Sequence, residues 1–203
     1  MAICNVVFDI GNVVVPWDPE AIVHDAFGEE RVARKGFVSP LAGNSLWLAV
    51  NRGEHTLAHA KRIYVAEQGF EEAEIDRLYD ALFASMVPID ETVLLMRELR
   101  AAGYRIFAIT DNVNEAVAYQ QSTYDFWDMI EAAAISSEVG VLKPDERMYR
   151  HLLDKASLAP EECLFFDDAA ANVEGARTVG MNARLFTDAA EARSDLTRLG
   201  VRF

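Results

Sequence analysis

Asp9 ends an apolar run, Val6-Val7-Phe8, and is followed by Gly11 and Asn12, residues that permit a tight turn. Three later stretches have the same form. Ile106-Phe107-Ala108-Ile109 leads into Thr110-Asp111-Asn112. Ala132-Ala133-Ala134-Ile135 leads into Ser136-Ser137, with Lys143-Pro144 a little further on, and Leu164-Phe165-Phe166 leads into Asp167-Asp168. Any one of these is a weak signal, since an Asp-x-Gly-Asn sequence is by itself only a turn. Carboxylates gathered from several such stretches repel one another and raise one another's pKa unless a cation intervenes. A hard divalent ion such as Mg²⁺ meets that need, because it takes oxygen ligands from carboxylates, carbonyls and water. A hydroxyl and an ammonium opposite it, those of Thr110 and Lys143, would hold the oxygens of a phosphoryl group. A free oxygen of Asp9 can then attack phosphorus and form an aspartyl-phosphate, with metal and lysine neutralising the transferring group.

These residues share one site only if the elements between them place them together. From about Glu20 to Val87 the pattern is helical: Ile22, Val23, Ala26 and Phe27 recur at helical spacing, as do Leu57, Ala60, Ile63 and Tyr64, then Ile75, Leu78, Tyr79, Leu82 and Phe83. Asn51 to Thr56 interrupts these as a polar loop, with Thr56 placed to cap the next helix. After Ile89 helices and strands alternate. The spacing predicts helices over 91–102, 114–121, 144–156 and 172–179, with Pro144 in a first turn, and strands over 104–109, 132–135, 163–166 and 181–186. That alternation predicts an α/β fold, a Rossmann-like, doubly wound parallel sheet covered on both faces. The stretch between the first two strands is too long for a simple crossover and reads as an inserted helical cap over 16–88, leaving 1–15 and 89–203 as the core domain. In such a sheet the C-terminal strand ends open on one crevice.

Composition narrows the partners. The chain has 203 residues, 51% hydrophobic and 26% charged, with a net charge of −14. That acidity argues against nucleic acid and against anionic membrane surfaces, both of which need Lys/Arg patches. No apolar run approaches the roughly 18 residues of a transmembrane helix, and no basic region precedes the apolar N-terminus as in a signal peptide. Cys4 and Cys163 lie in or beside apolar runs and read as reduced core residues of a cytoplasmic protein, expected to be a monomer or weak homodimer.

Four motifs in order resemble the haloacid dehalogenase-like hydrolases: Phe8-Asp9-Ile10-Gly11-Asn12-Val13, Thr110, Lys143-Pro144, and Phe166-Asp167-Asp168 with Asn172, Gly175, Ala176 and Gly180. Among branches the chain looks most like those with a helical cap between the first two motifs. The wording Gly11-Asn12-Val13, and Trp47 followed by Arg52-Gly53-Glu54, are similar to bacterial sugar-phosphate phosphatases such as the α-glucose-1-phosphate phosphatases. The resemblance implies a Mg²⁺-dependent phosphatase for a small phosphorylated metabolite, with a sugar phosphate among the candidates. It makes Asp9 the nucleophile and a metal ligand, and the Gly11 carbonyl a second ligand. Asp168 would bind the metal directly, with Asp167 beside it or acting through water, and Asn172 would support that shell. Thr110 and Lys143 would hold the phosphate, and Asp111, Asn112, Arg52 and Glu54 are expected around the substrate.

Two departures stand out. Most phosphatases of the family carry a second aspartate, their general acid and base, where this chain has Gly11; Glu54, His55, Asp111 and Asp18 are the candidate replacements. Asp111 stands where many relatives have asparagine, and an extra anion there must point away or pair with a cation. Two alternative functions follow. One is a 2-haloacid dehalogenase, which also lacks the second aspartate but works without metal and typically follows its nucleophile with Tyr-Gly-Thr. The other is a weakly active or non-catalytic ligand-binding protein. Trp47 reads as cap core, and His24, His55, His59 and His151 as surface residues.

Overall fold

Five strands form the sheet; the central three are apolar almost throughout, as strands buried on both faces must be, and the two at its edges are mixed. In the computed structural model, which describes residues 2–33 and 37–203, they are β1 (Asn5–Phe8), β2 (Arg105–Thr110), β3 (Ile130–Ile135), β4 (Cys163–Asp167) and β5 (Asn182–Leu185). They pair in parallel in the order β3-β2-β1-β4-β5. Phe8 lies opposite Ala108 on one side and Phe166 on the other, so Asp9, Thr110 and Asp167 all fall at the same edge of the sheet.

Alternate side chains along each strand enter different cores. Val6 and Phe8 join the cluster under α6 (Asp90–Ala101) and α11 (Ala189–Arg198), with Leu95, Met96, Leu99 and Leu196. Val7, Phe107 and Phe165 join the cluster under α9 (Glu146–Ala156) and α10 (Ala170–Thr178), with Met148, Tyr149, Leu152 and Ala176. This period-two division is what a doubly wound sheet requires, and the α/β expectation holds.

Between β1 and α6 come α1 (Pro19–Phe27), α2 (Glu29–Val32), α3 (Ser45–Asn51), α4 (Leu57–Gln68) and α5 (Glu72–Ala84). They enclose a third cluster, including Ile22, Trp47, Tyr64, Leu78 and Leu82, which also takes in Val113 and Ala116 at the start of α7 (Asn114–Thr123). Asp18 caps α1 and Thr56 caps α4 through side-chain acceptors. The short helix α8 (Ser136–Val139) follows β3. No helix among the described residues is long and apolar enough to cross a membrane.

Several local expectations need correction. Pro144 is not in a helical first turn: α9 begins at Glu146, because the Asp145 carboxylate accepts the Arg147 N–H and sets the N-cap. β3 starts at Ile130 rather than 132, since pairing with β2 draws in residues that the apolar run alone does not reveal. Cys4 is exposed, lying one residue ahead of β1, and only Cys163 is a core residue; neither is in a disulfide.

Candidate active site

The turn after β1 is built around one carbonyl. Ile10 O accepts the N–H groups of Val13, Val14 and Val15, and the side chains of Ile10, Val13 and Val14 are wholly buried. This fixes the Asp9 carboxylate, whose Oδ1 accepts the Ile10 N–H at 2.7 Å. The Lys143 ammonium lies 2.8 Å from Asp9 Oδ2 and 2.8 Å from Asp167 Oδ2, with its side chain 2% exposed. Burial pushes the Asp9 carboxyl up to about 7, against the pull of the neighbouring ammonium. Burial would lower the Lys143 pKa, but the carboxylates of Asp9, Asp167 and Asp111 outweigh it and hold it above the usual lysine range.

The acidic pair divides into two environments. Asp167 is fully buried and its carboxylate is saturated: Oδ1 accepts from Ala169 N–H and Asn172 Nδ2, Oδ2 from Lys143 and Asn172 Nδ2. Asp168 is exposed and faces the cavity, with Oδ2 accepting from Asn12 Nδ2 at 3.0 Å. Carboxylate oxygens of Asp9, Asp167 and Asp168 lie within 4.8 Å of one another. One ammonium does not neutralise three carboxylates so close together, and the all-oxygen donor set suits a hard divalent cation.

Thr110 ends β2, 1% exposed, with its hydroxyl lacking a hydrogen-bond partner. Asp111 is turned to use: its Oδ1 accepts the Lys143 backbone N–H at 3.0 Å, holding the lysine loop against the end of β2. Burial raises the Asp111 pKa, opposed by Lys143. Asn112 donates its N–H to Ser136 Oγ at 2.9 Å.

Asp9, Gly11, Asp111, Asn112, Lys143, Asp168 and Asn172 therefore line one cavity of about 360 Å³. Arg52 and Glu54 are not in its wall. They pair with each other at 2.5 Å, and Gly53 between them packs on the backbone of Ser137, leaving no room for a Cβ. The loop docks the α3–α4 connection onto α8. Asp18 is committed to capping α1, and His55 stacks on His59; neither lines the cavity. Trp47 is both core and wall, buried and stacked on Trp17 at 6.0 Å between ring centroids.

Two residues of the site went unassigned in the sequence. Asn12 grips Asp168 and, through Oδ1, accepts the Trp17 N–H, with its backbone at φ 55°, a conformation asparagine tolerates well. Ser136 donates to Asn51 O and accepts from Asn112 N–H, joining α3 to the end of β2. Its place directly after a strand was the available signal.

The sequence profile of haloacid dehalogenase-like hydrolases matches residues 5–180. The chain belongs to that family. Among its relatives, the sesquiterpene phosphatase astK of Aspergillus oryzae is 24% identical over 193 residues, 95% of this chain and 94% of that protein. Phosphatase MT3486 of Mycobacterium tuberculosis is 31% identical over 128 residues, 62% of this chain and 57% of its own length. A solved structure of the HAD family enzyme bt-2542 of Bacteroides thetaiotaomicron, in complex with magnesium and inorganic phosphate, superposes with a TM-score of 0.75 at 18% identity. It covers 92% of this family member and 95% of that chain, and the likeness is one of fold.

Proposed function

We propose that this protein is a Mg²⁺-dependent phosphatase that acts on a small phosphorylated metabolite through an aspartyl-phosphate on Asp9. The observation that carries this reading is the convergence of Asp9, the Lys143 ammonium and the acidic pair at one end of one cavity. Named phosphatases among the relatives support it. Residues 1–15 and 89–203 act as the reacting core and 16–88 as a cap that closes the cavity from above.

Asp9, the Gly11 carbonyl and Asp168 would hold Mg²⁺, with Asp167 behind them fixing Lys143 and Asn172. The ion, when bound, supplies neutralisation of the phosphoryl oxygens. Lys143, in the wall of the same cavity, would face those oxygens, and the unpartnered Thr110 hydroxyl, buried just behind that wall at the end of β2, would donate to one of them. An oxygen of Asp9 attacks phosphorus and the phosphorus–oxygen bond to the alcohol breaks. The leaving alkoxide takes a proton from water. A second water then attacks phosphorus, the bond to Asp9 breaks, and inorganic phosphate leaves with the carboxylate restored.

The test is phosphate release from a broad panel of phosphomonoesters with Mg²⁺. Turnover abolished by a chelator and by Asp9→Asn is the expected result. Release no faster than the Asp9→Asn control across the panel would overturn the proposal.

A further inference from the structure

The cavity is chemically split. Its charged lining residues, Asp9, Asp111, Lys143 and Asp168, all belong to the sheet end. The wall facing them is built from Trp17, Leu41, Trp47, Leu48, Leu82 and Met86. Trp17 and Trp47 stack on each other nearly parallel, at 8°, and both line the cavity, so their combined aromatic surface is part of this wall.

The amide side chains in that wall are engaged in bonds to the protein, which leaves the indole N–H groups of Trp17 and Trp47 and the Asn51 carbonyl as its few free polar positions. Asn51 donates its amide to Trp47 O at 2.9 Å. Gln120 is fully buried, donates to Met86 Sδ, and accepts the Trp127 indole N–H at 3.2 Å. Arg52 and Glu54, which could have met hydroxyl groups, lie outside the cavity. A polyol placed here would lose more hydrogen bonds to water than these few positions return, and each stranded hydroxyl opposes binding. An apolar group would gain on both counts.

We infer that the substrate is a phosphate ester of an apolar alcohol, its phosphate at Asp9 and Lys143 and its hydrocarbon against the Trp17–Trp47 wall. This rests on the phosphatase reading and adds the substrate class, pointing away from a sugar phosphate. The cavity's volume of about 360 Å³ lies within the roughly 300–1,000 Å³ of small-molecule sites.

The experiment uses the Mg²⁺-loaded protein and a series of straight-chain alkyl phosphates from ethyl to octyl, with glucose 6-phosphate for comparison. kcat/KM is expected to rise about four-fold for each added methylene until the wall is covered, with glucose 6-phosphate below butyl phosphate. Leu48 is 45% exposed, so Leu48→Asn leaves the fold intact, and it lowers the ratio of octyl to ethyl turnover. A flat series, or glucose 6-phosphate as the preferred substrate, overturns the inference while leaving the phosphatase reading in place. If no ester is hydrolysed, the phosphatase reading fails, and calorimetry with the matching alkylphosphonates and Mg²⁺ decides the substrate class separately. Affinity climbing with chain length supports the apolar wall; affinity independent of it refutes the inference.

Discussion

Asn12 and Asp168 are joined across nearly the whole chain, the Asn12 amide donating to Asp168 Oδ2 at 3.0 Å. The other end of the same amide accepts the Trp17 N–H at 2.8 Å. One side chain thus orients an otherwise exposed carboxylate. Asn12→Gly removes the grip while keeping a residue suited to φ 55°. Mg²⁺ affinity, measured by calorimetry, is expected to fall about 10–100-fold, the usual cost of losing such support. Unchanged affinity would mean that Asp168 orients itself.

The metal-free protein has a pH signature. Burial raises Asp9 from 3.8 to about 7, so between those values the folded protein holds a proton that the unfolded chain has released. The resulting stability is full below the lower value and is lost as pH rises through the upper one. Mg²⁺ needs the ionised carboxylate, so its binding displaces that proton and stabilises more at higher pH. The rise in melting temperature on adding a fixed Mg²⁺ concentration should be larger at about pH 8 than at about pH 5.5. Equal rises would exclude Asp9 as the proton-exchanging ligand.

Gly11 can be replaced. Its φ is not in the left-handed region, and an added Cβ would meet Trp17 Cβ at an ordinary 3.6 Å. Of the candidate acid–base replacements, only Asp111 lines the cavity, and it is engaged with the Lys143 N–H. Gly11→Asp should therefore fold normally and shorten the life of a labelled phospho-enzyme on Asp9, by up to about 10²-fold. Rapid mixing and acid quenching measure this. If the intermediate never accumulates in the parent protein during fast turnover, another residue supplies the proton transfers, and Asp111→Ala is the first replacement to test; turnover surviving all such replacements would show that water suffices.

Gly53 cannot be replaced. At φ 72°, a Cβ would lie 2.1 Å from Ser137 O. Gly53→Ala is expected to lower unfolding stability by about 1–3 kcal/mol through backbone strain, and by more if the loop lifts off α8. Denaturant titration reads this; a variant as stable as the parent would mean the loop is not docked on Ser137.

The sheet was legible because its central strands announce themselves as apolar runs, with polar residues directly after them. Asp9 and Asp167-Asp168 stand directly after such runs, as the burial of β1 and β4 requires, while Lys143 lies in a loop beyond α8 and stood out through the Lys143-Pro144 pair. Side-chain direction was not legible. Nothing local distinguishes Asp167, fully enclosed by donors, from its exposed neighbour Asp168. The direction of Arg52 and Glu54 was not legible either, since a polar loop between helices looks the same whether it faces a cavity or, as here, packs on a neighbour with its charges paired. Asn12 was underread, because its partner lies at the far end of the chain and only the fold brings them together.

Ser136 sits wholly buried between Asn51 at the end of α3 and Asn112 beyond β2. One hydroxyl thus rivets the helix that carries Trp47 to the floor that carries Lys143 and Asp111. Substitutions along α3 can then recast which molecules are admitted while the reacting atoms keep their places. A lineage built on this frame can change its diet one side chain at a time, without ever relearning how to break the bond.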